Sequence, residues 1–171
     1  ADISRTQAAK AISIAEKATG ERPYGFFCRG SESIHTRQLL SELNFEYDSN
    51  AFDDDLPYYD CSINGNPMLV LPYALDSNDM KFFHPNGFSQ AQELVDYVKD
   101  ALDVLIEEGK RGFPKMLNIG LHLRISGRPA RFAAVKGILE HLKELGDDIW
   151  VARRIDIARH FRKSSPPLIE D

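Results

Sequence analysis

The sequence has few cysteines, no long apolar run and fewer positive than negative charges. Only two cysteines, Cys28 and Cys61, occur in 171 residues, and they form no metal-type pair. We expect two buried free thiols, as in most cytosolic proteins, with a single disulfide as the minor alternative. The formal net charge of -5 argues against nucleic acid as the main partner, because phosphate binding needs a basic face. No run of about 18 apolar residues is present, so we expect no membrane partner either.

Several familiar motifs are also missing. The chain has no His-x-x-x-His, no Cys/His cluster, no phosphate-binding glycine loop and no Gly-x-Ser-x-Gly. These absences exclude the usual sequence signatures of zinc sites, nucleotide binding and serine nucleophiles. The chain opens Ala-Asp-Ile-Ser-Arg without a basic-then-apolar leader. We therefore expect no signal peptide, a cytoplasmic location, and a chain that is a processed product or a fragment.

Periodicity and turn signals predict alternating helices and strands. Helices are expected over about 4–19, from between 33 and 36 to 43, and over 89–108, 130–145 and 155–162. Strands are expected at 24–28, 45–48, 59–63, 68–71, 116–123 and 149–152. Capping boxes at Ser4–Gln7 and Ser89–Gln92 mark two helix starts, and Asn64-Gly65 marks a hairpin turn.

This alternation favours an α/β fold with a parallel sheet or a barrel. Only about four core strands are predicted, and the chain begins with a helix that should follow a strand. A closed eight-stranded barrel takes ~250 residues. We therefore predict the C-terminal portion of a barrel whose first strands are absent, with residues 1–163 in the domain and 164–171 as a flexible tail.

The predicted strand 116–123 is the first candidate for chemistry, since it delivers His122 to its carboxyl end. Ligands bind at the carboxyl ends of parallel strands, and imidazole suits a general acid or base. The alternative is a buried, satisfied core histidine. Arg124 would add cationic character beside it. Arg29 follows the first strand in the same way, with an ion pair to the acidic loop as its alternative.

Two acidic segments are further candidates. The loop Asp53-Asp54-Asp55 offers ligands for a hard metal, but consecutive side chains diverge, so a solvated loop is the stronger interpretation. Asp76 and Asp79 bracket Asn78 just after a predicted strand, and their carboxylates could hold the N–H groups of an amide or ureido substrate. The alternative is turn and cap chemistry, since Asp, Asn and Ser favour such positions.

A series of short motifs resembles the polysaccharide-deacetylase-like superfamily, and within it the branch of cofactor-independent allantoinases of the uric-acid pathway. In chain order the motifs are Gly25-Phe26-Phe27-Cys28-Arg29-Gly30, Thr36-Arg37-Gln38-Leu39-Leu40, Tyr47-Asp48-Ser49, Asp54-Asp55-Leu56-Pro57-Tyr58, Pro72-Tyr73 with Asn78-Asp79, Gly120-Leu121-His122 with Gly127-Arg128-Pro129, and residues 151–159. The resemblance extends from about Arg5 to Phe161.

The resemblance implies a distorted (β/α) barrel and hydrolysis of a C–N bond in an amide, an N-acetyl group or a cyclic ureide. It implies that His122 is the general acid and that Arg29 orients the catalytic carboxylate. Asn78 and Asp79 would hold the substrate. The remaining substrate-binding candidates are Asp55, within a matching motif, and Arg124.

The chain departs from the superfamily in lacking its first two motifs. These are an Asp-Asp pair after the first strand and a His-x-x-x-His, which supply the catalytic base and, where a metal is used, the ligands of a zinc ion. We therefore expect an N-terminal half of the same enzyme as a partner of this chain. We expect the completed enzyme to form a homo-oligomer and to act on a small amide, a ureide or an N-acetylated sugar. Two alternatives stay open: a non-catalytic binding subunit, and a chitin or polysaccharide deacetylase whose aromatic groove includes Tyr58 and Tyr59.

Overall fold

Four short strands form one sheet in the computed structural model, which describes residues 5–30, 32–64 and 66–167. The strands are β1 (Gly25–Phe26), β2 (Tyr47–Asp48), β3 (Tyr58–Asp60) and β4 (Met68–Val70). Their order in the sheet is β1-β2-β4-β3. β1, β2 and β4 are parallel, whereas β3 pairs with β4 in the antiparallel direction. The predicted α/β class is confirmed, and each strand is shorter than its apolar run.

The hairpin prediction is confirmed by the β3–β4 pair, in which Tyr59 lies opposite Leu69. The first arm, Tyr58-Tyr59-Asp60, is half-buried, and the second, Met68-Leu69-Val70, is fully apolar and buried, as suits an outer strand beside an inner one. Gly65 of the predicted turn lies outside the described residues, as does Ser4 of the first predicted capping box.

The described residues fall into two compact units, of which the first is Ala1–Tyr73 with Ala152–Asp171. It contains the sheet and the helices α1 (Arg5–Thr19), α2 (Thr36–Glu42) and α6 (Arg154–Ser164). One buried apolar cluster in this unit comprises Ile12, Leu40, Phe45 and Met68. Gly20 ends α1 with a positive φ of 79°, which glycine adopts without steric cost. Residues 168–171 of the predicted tail lie outside the described part of the chain.

The second unit, Ala74–Val151, is built on a pair of helices. These are α3 (Ala91–Lys110) and α5 (Pro129–Leu145), with the four-residue α4 (Leu123–Ser126) between them in the chain. One 3₁₀ helix, Asp79–Phe83, precedes α3, and another, Gly146–Asp148, follows α5. Its core is a set of buried residues from α3 and α5: Leu94, Val95, Val98, Leu102, Ala134 and Ile138. A Cβ on Gly137 would lie 3.0 Å from Val95 Cγ2, so a small residue lets α5 approach α3 closely.

Three details of these helices differ from the predictions. Glu93, rather than Gln92, completes the cap of α3, because its carboxylate accepts from the backbone N–H of Gln90 at 3.0 Å. α3 also continues through Gly109 to Lys110. The buried face of α5 was predicted one position off: Phe132 is exposed, whereas Ala134 and Ile138 are buried. The close packing of small α5 residues against α3 decides which face of α5 is buried, and the positions of the larger apolar side chains do not.

The predicted strand 116–123 is wrong. It makes one isolated parallel bridge, between Gly120 and Asn78, and then turns into α4. The pairing stops there because the partner segment enters the 3₁₀ helix Asp79–Phe83 directly after Asn78. The segment Asn78–Asp79, expected as a loop, is therefore a bridge followed by a helix start.

The predicted strand 149–152 is also wrong, since these residues have no regular secondary structure. Trp150 and Val151 are exposed, so their β propensity meets no neighbouring strand in the described part of the chain. Both cysteines are free, as predicted, but Cys28 is half-buried and Cys61 is exposed rather than buried. Within the described residues, no helix has the length and apolarity that crossing a membrane requires.

Candidate active site

One histidine and one aspartate meet in the second unit, where the two chain segments 77–79 and 118–122 lie side by side. The backbone N–H of Asp79 donates to the carbonyl of Gly120 at 2.9 Å. This bond sets Asp79, at the start of the 3₁₀ helix, opposite His122, which caps α4. Both residues thus lie at the N-terminal ends of short helices, His122 at the N-cap position and Asp79 directly after the N-cap Asn78, and their side chains face each other.

The Asp79 carboxylate is fully buried and accepts three hydrogen bonds. Oδ1 accepts from Nδ1 of His122 at 2.7 Å. Oδ2 accepts from the backbone N–H of His122 at 2.7 Å and from Oγ of Ser126 at 2.6 Å. Because an ionised carboxylate is only an acceptor, Nδ1 of His122 carries the proton in this arrangement.

The His122 side chain is 30% exposed. With Nδ1 held by a buried carboxylate, Nε2 is the nitrogen left to exchange a proton with a ligand. A carboxylate that orients an imidazole and stabilises its cation is the arrangement of general acid–base sites. The core-histidine alternative does not fit this partly exposed ring.

The other candidates in this unit lie around the pair in different roles. The Asn78 side chain is buried and accepts from the backbone N–H of Met80 at 2.9 Å, so it caps the 3₁₀ helix. Arg124 is exposed and lies on α4, two residues after His122, with Nη2 3.5 Å from Sδ of Met80. The burial of Asp79 and Asn78 favours positioning over direct contact with a substrate, whereas Arg124 is accessible.

Arg29 and Asp55 belong to the first unit and take no part in the Asp79–His122 pair. Arg29 is exposed and, among the described residues, forms no ion pair with the acidic loop, contrary to its structural alternative. Asp55 is half-buried, and its backbone N–H donates to Asp54 Oδ1 at 2.7 Å. Their assigned roles stay predictions.

A second polar cluster, which the sequence did not reveal, surrounds Arg37 in the first unit. Its guanidinium bonds Asp48 Oδ2 at 2.9 Å, Asp60 Oδ2 at 2.8 Å and Glu32 Oε1 at 3.2 Å. The Asp48 carboxylate is completely buried. Arg37 appeared within a matching motif but without a role. The available signal was the placement of acidic residues at the ends of β2 and β3, facing the first turn of α2.

This cluster shifts the ionisation of its members. Burial first, and then the neighbouring Asp48 charge, raise the pKa of Glu32 to about 7, although the Arg37 charge acts in the opposite direction. Burial lowers the pKa of Arg37, but its hydrogen bonds to Asp48 and Asp60 outweigh this and raise the pKa overall. Glu32 therefore changes charge near neutral pH, unlike an ordinary glutamate.

Arg154 braces the carboxyl ends of two parallel strands in the first unit. Its Nε donates to Ser49 Oγ at 3.1 Å, and its Nη2 donates to the carbonyls of Pro72, at 3.0 Å, and of Leu71. Burial lowers the pKa of this guanidinium. The sequence placed this residue in a matching motif without predicting that it ties two loops together.

Among the residues that the structure describes, no group of three or more His, Cys, Asp or Glu side chains could hold a metal ion.

No family model matches the chain. Individual proteins do match it, both in sequence and in fold. A protein of Schizosaccharomyces pombe named "Putative polysaccharide deacetylase" is 36% identical over 151 residues, covering 80% of this chain and 47% of that protein. A crystal structure of a "probable Polysaccharide deacetylase from Pseudomonas aeruginosa PAO1" has a TM-score of 0.86 and 45% identity, over 96% of this chain and 54% of the other.

The chain is thus similar to polysaccharide-deacetylase-like proteins, and this confirms the resemblance that its motifs indicated. The similarity includes the narrower branch: the crystal structure of PuuE allantoinase has a TM-score of 0.88 and 44% identity, over 96% of this chain and 54% of that one. The chain spans about half the length of each of these relatives.

Proposed function

We propose that this chain is part of a hydrolase of non-peptide C–N bonds, acting on a cyclic amide or ureide in the manner of an allantoinase. The observation that carries the proposal is the contact between the buried Asp79 carboxylate and Nδ1 of the partly exposed His122. Similarity to PuuE allantoinase supports the choice of a cyclic ureide. Similarity to the two named deacetylases supports the wider class.

In the proposed reaction, water attacks the carbonyl carbon while a base removes its proton, and the tetrahedral oxyanion then collapses with cleavage of the C–N bond. His122 enters as the imidazolium, gives its Nε2 proton to the departing nitrogen and becomes neutral. Asp79 accepts the hydrogen bond from Nδ1 of His122, so that the proton stays on Nδ1, and its charge stabilises the imidazolium before the Nε2 proton is transferred. Arg124, exposed and two residues after His122, is proposed to bind the substrate. Arg29 keeps the role that the resemblance implies, which is to orient the catalytic carboxylate.

The base is proposed to come from an N-terminal half of the same enzyme, as a separate chain or a cleaved fragment. Two observations support this partner. The chain spans about half of its relatives, and β1 is at one edge of the described sheet, where its unpaired backbone could accept another strand. Any zinc ion would be held by that half. The free cysteines support a cytoplasmic location, and assembly into a homo-oligomer stays part of the proposal.

The activity test uses the chain together with an N-terminal half that carries the Asp-Asp and His-x-x-x-His motifs. Allantoin turnover by this complex should fall by roughly 10²–10⁴-fold in His122→Ala, because the leaving nitrogen loses its proton donor. His84→Gln is the matched control, since His84 is an exposed histidine of the same unit, and it should retain turnover. Unchanged turnover in His122→Ala would refute the acid role. A complex that binds allantoin without turning it over would favour the non-catalytic subunit.

The partner is tested by size-exclusion chromatography with intact-mass analysis. The chain and the N-terminal half should co-elute, and the chain alone should self-associate through its exposed sheet edge. A stable, monodisperse 19.3 kDa monomer that does not bind the N-terminal half would contradict this part of the proposal.

A second candidate, removal of acetyl groups from an amino sugar, is favoured by an aromatic cluster in the first unit. The Phe27 and Tyr73 rings stack with centroids 5.0 Å apart, and Phe52 meets Tyr73 edge-on at 6.1 Å. Phe27 and Phe52 are about half exposed, as an aromatic surface for a sugar ring would need to be. Tyr58 and Tyr59 do not join it. Under this candidate, Phe27→Ala should weaken turnover of an N-acetylglucosamine oligomer and spare allantoin.

A further inference from the structure

Ser126, the last residue of α4, has a buried hydroxyl that points at the carboxylate of Asp79. The residue is 3% exposed. Its Oγ donates to Asp79 Oδ2 at 2.6 Å, which is as short as hydrogen bonds to a charged acceptor become. The neighbouring Ile125 is fully buried, so α4 is anchored where it presents this hydroxyl.

The three donors around Asp79 divide unequally between its two oxygens. Among the described residues, Oδ1 accepts only from Nδ1 of His122, whereas Oδ2 accepts from the backbone N–H of His122 and from the hydroxyl of Ser126. A carboxylate held by the backbone N–H alone could rotate about that bond and swing Oδ1 away from the imidazole. A second donor on Oδ2, from another direction, fixes the plane of the carboxylate and hence the position of Oδ1.

We propose that Ser126 is a positioning residue, whose hydroxyl fixes Asp79 so that Asp79 in turn holds the Nδ1 proton and the ring orientation of His122. The proposal rests on the proposed function in assigning catalytic importance to that orientation. Ser126 does not touch the reacting atoms and is not a nucleophile, because its hydroxyl is on Asp79 and not on Nε2 of His122.

A purely structural serine is the competing explanation, and the same unit supplies its control. Ser77 is fully buried, and its Oγ donates at 2.6 Å to the carbonyl of Asn118. Ser126→Ala and Ser77→Ala thus each remove one buried hydroxyl with a short bond, at a comparable cost in stability. Only the first removes a donor from Asp79.

The first measurement is NMR of the full chain with ¹⁵N-labelled histidine, which needs no activity. In Ser126→Ala, the Nδ1 proton of His122 should exchange with water at least about tenfold faster, because its acceptor is no longer fixed. Ser77→Ala should leave this exchange unchanged, and Ser126→Thr, which keeps the hydroxyl, should restore slow exchange. If Ser126→Ala does not fold, Ser126→Cys keeps the volume with a weaker donor and should show the same direction of change.

The second measurement is turnover by the chain completed with its N-terminal half. Ser126→Ala should lower kcat by about tenfold and leave KM unchanged, since the effect lies in proton transfer and not in substrate binding. Unchanged exchange in Ser126→Ala, or an equal change in Ser77→Ala, would overturn the proposal. If the completed protein hydrolyses nothing, the proposed function fails, while the exchange measurement still decides whether Ser126 positions His122.

Discussion

Replacing Asp79 with asparagine should reverse the protonation of the His122 ring without changing its shape. The backbone N–H of His122 can only donate, and it bonds Oδ2 at 2.7 Å. The asparagine carbonyl must therefore take the Oδ2 position, which leaves the amide NH₂ at the Oδ1 position, facing Nδ1. Two donors cannot face each other at 2.7 Å, so Nδ1 must become an acceptor and the proton must move to Nε2.

The size of the effect follows from what each variant removes. Asp79→Asn keeps the volume and replaces charge-assisted bonds by neutral ones, so kcat should fall by roughly 10³–10⁴-fold, as when a triad aspartate becomes asparagine and fixes the wrong tautomer. Asp79→Ala leaves the His122 N–H and the Ser126 hydroxyl buried without an acceptor. At about 1–3 kcal/mol for each of these two donors, the free energy of unfolding should drop by roughly 2–6 kcal/mol.

The assay is ¹⁵N NMR of histidine-labelled chain at a pH where free histidine is neutral. Wild type should show a protonated Nδ1 for His122, and Asp79→Asn a protonated Nε2. Asp76→Asn is the matched control, since Asp76 accepts only an exposed bond at 2.9 Å from Tyr97 and lies in the same unit. A His122 ring that keeps its Nδ1 proton in Asp79→Asn would refute the orientation argument.

Two further predictions concern stability. The folded-state pKa of Glu32, about 7, lies above its unfolded value of about 4.3, so the free energy of unfolding should fall as pH rises between these values, by at most about 4 kcal/mol. Urea titrations across this range should show a weaker pH dependence of the free energy of unfolding in Glu32→Gln and an unchanged one in Glu42→Gln, and equal pH dependence in the two variants would contradict the burial argument. In the second unit, Leu94→Ala should lower the free energy of unfolding by about 2–5 kcal/mol, because Leu94 is fully buried. Val104→Ala, on the exposed side of α3, should lower it by less than about 0.5 kcal/mol in the same urea titration, and similar losses in the two variants would contradict this assignment of the core.

Helices were predictable because their signals are local. The stop at Gly20, the apolar stripe of α3 and the Pro129 start of α5 all lie within a turn of what they specify. Strands need a partner that may be far along the chain. Residues 116–123 have a strand's composition, yet their neighbour becomes a 3₁₀ helix after one bridge, and 149–152 meet no strand among the described residues.

The residues of the candidate site likewise fall into those that local sequence predicts and those that only the folded chain reveals. The sequence picked out His122, because an apolar run ending in a histidine is visible in one segment, and its motifs indicated the class of protein that the comparisons then confirmed. It placed Asp79 in the right neighbourhood but proposed that it touches substrate. The burial of its carboxylate, which favours a positioning role, appears only when the chain is folded.

By itself, then, the sequence determined the helices, the α/β class, the resemblance and the choice of His122, since each depends on residues close together in the chain or on motifs in order. Only the tertiary structure decided what surrounds that histidine. Asp79 and His122 are 43 residues apart, and Arg37 gathers acidic residues from three segments. Contacts of this kind depend on which segments pack together and on which groups lose water, and no local pattern encodes either.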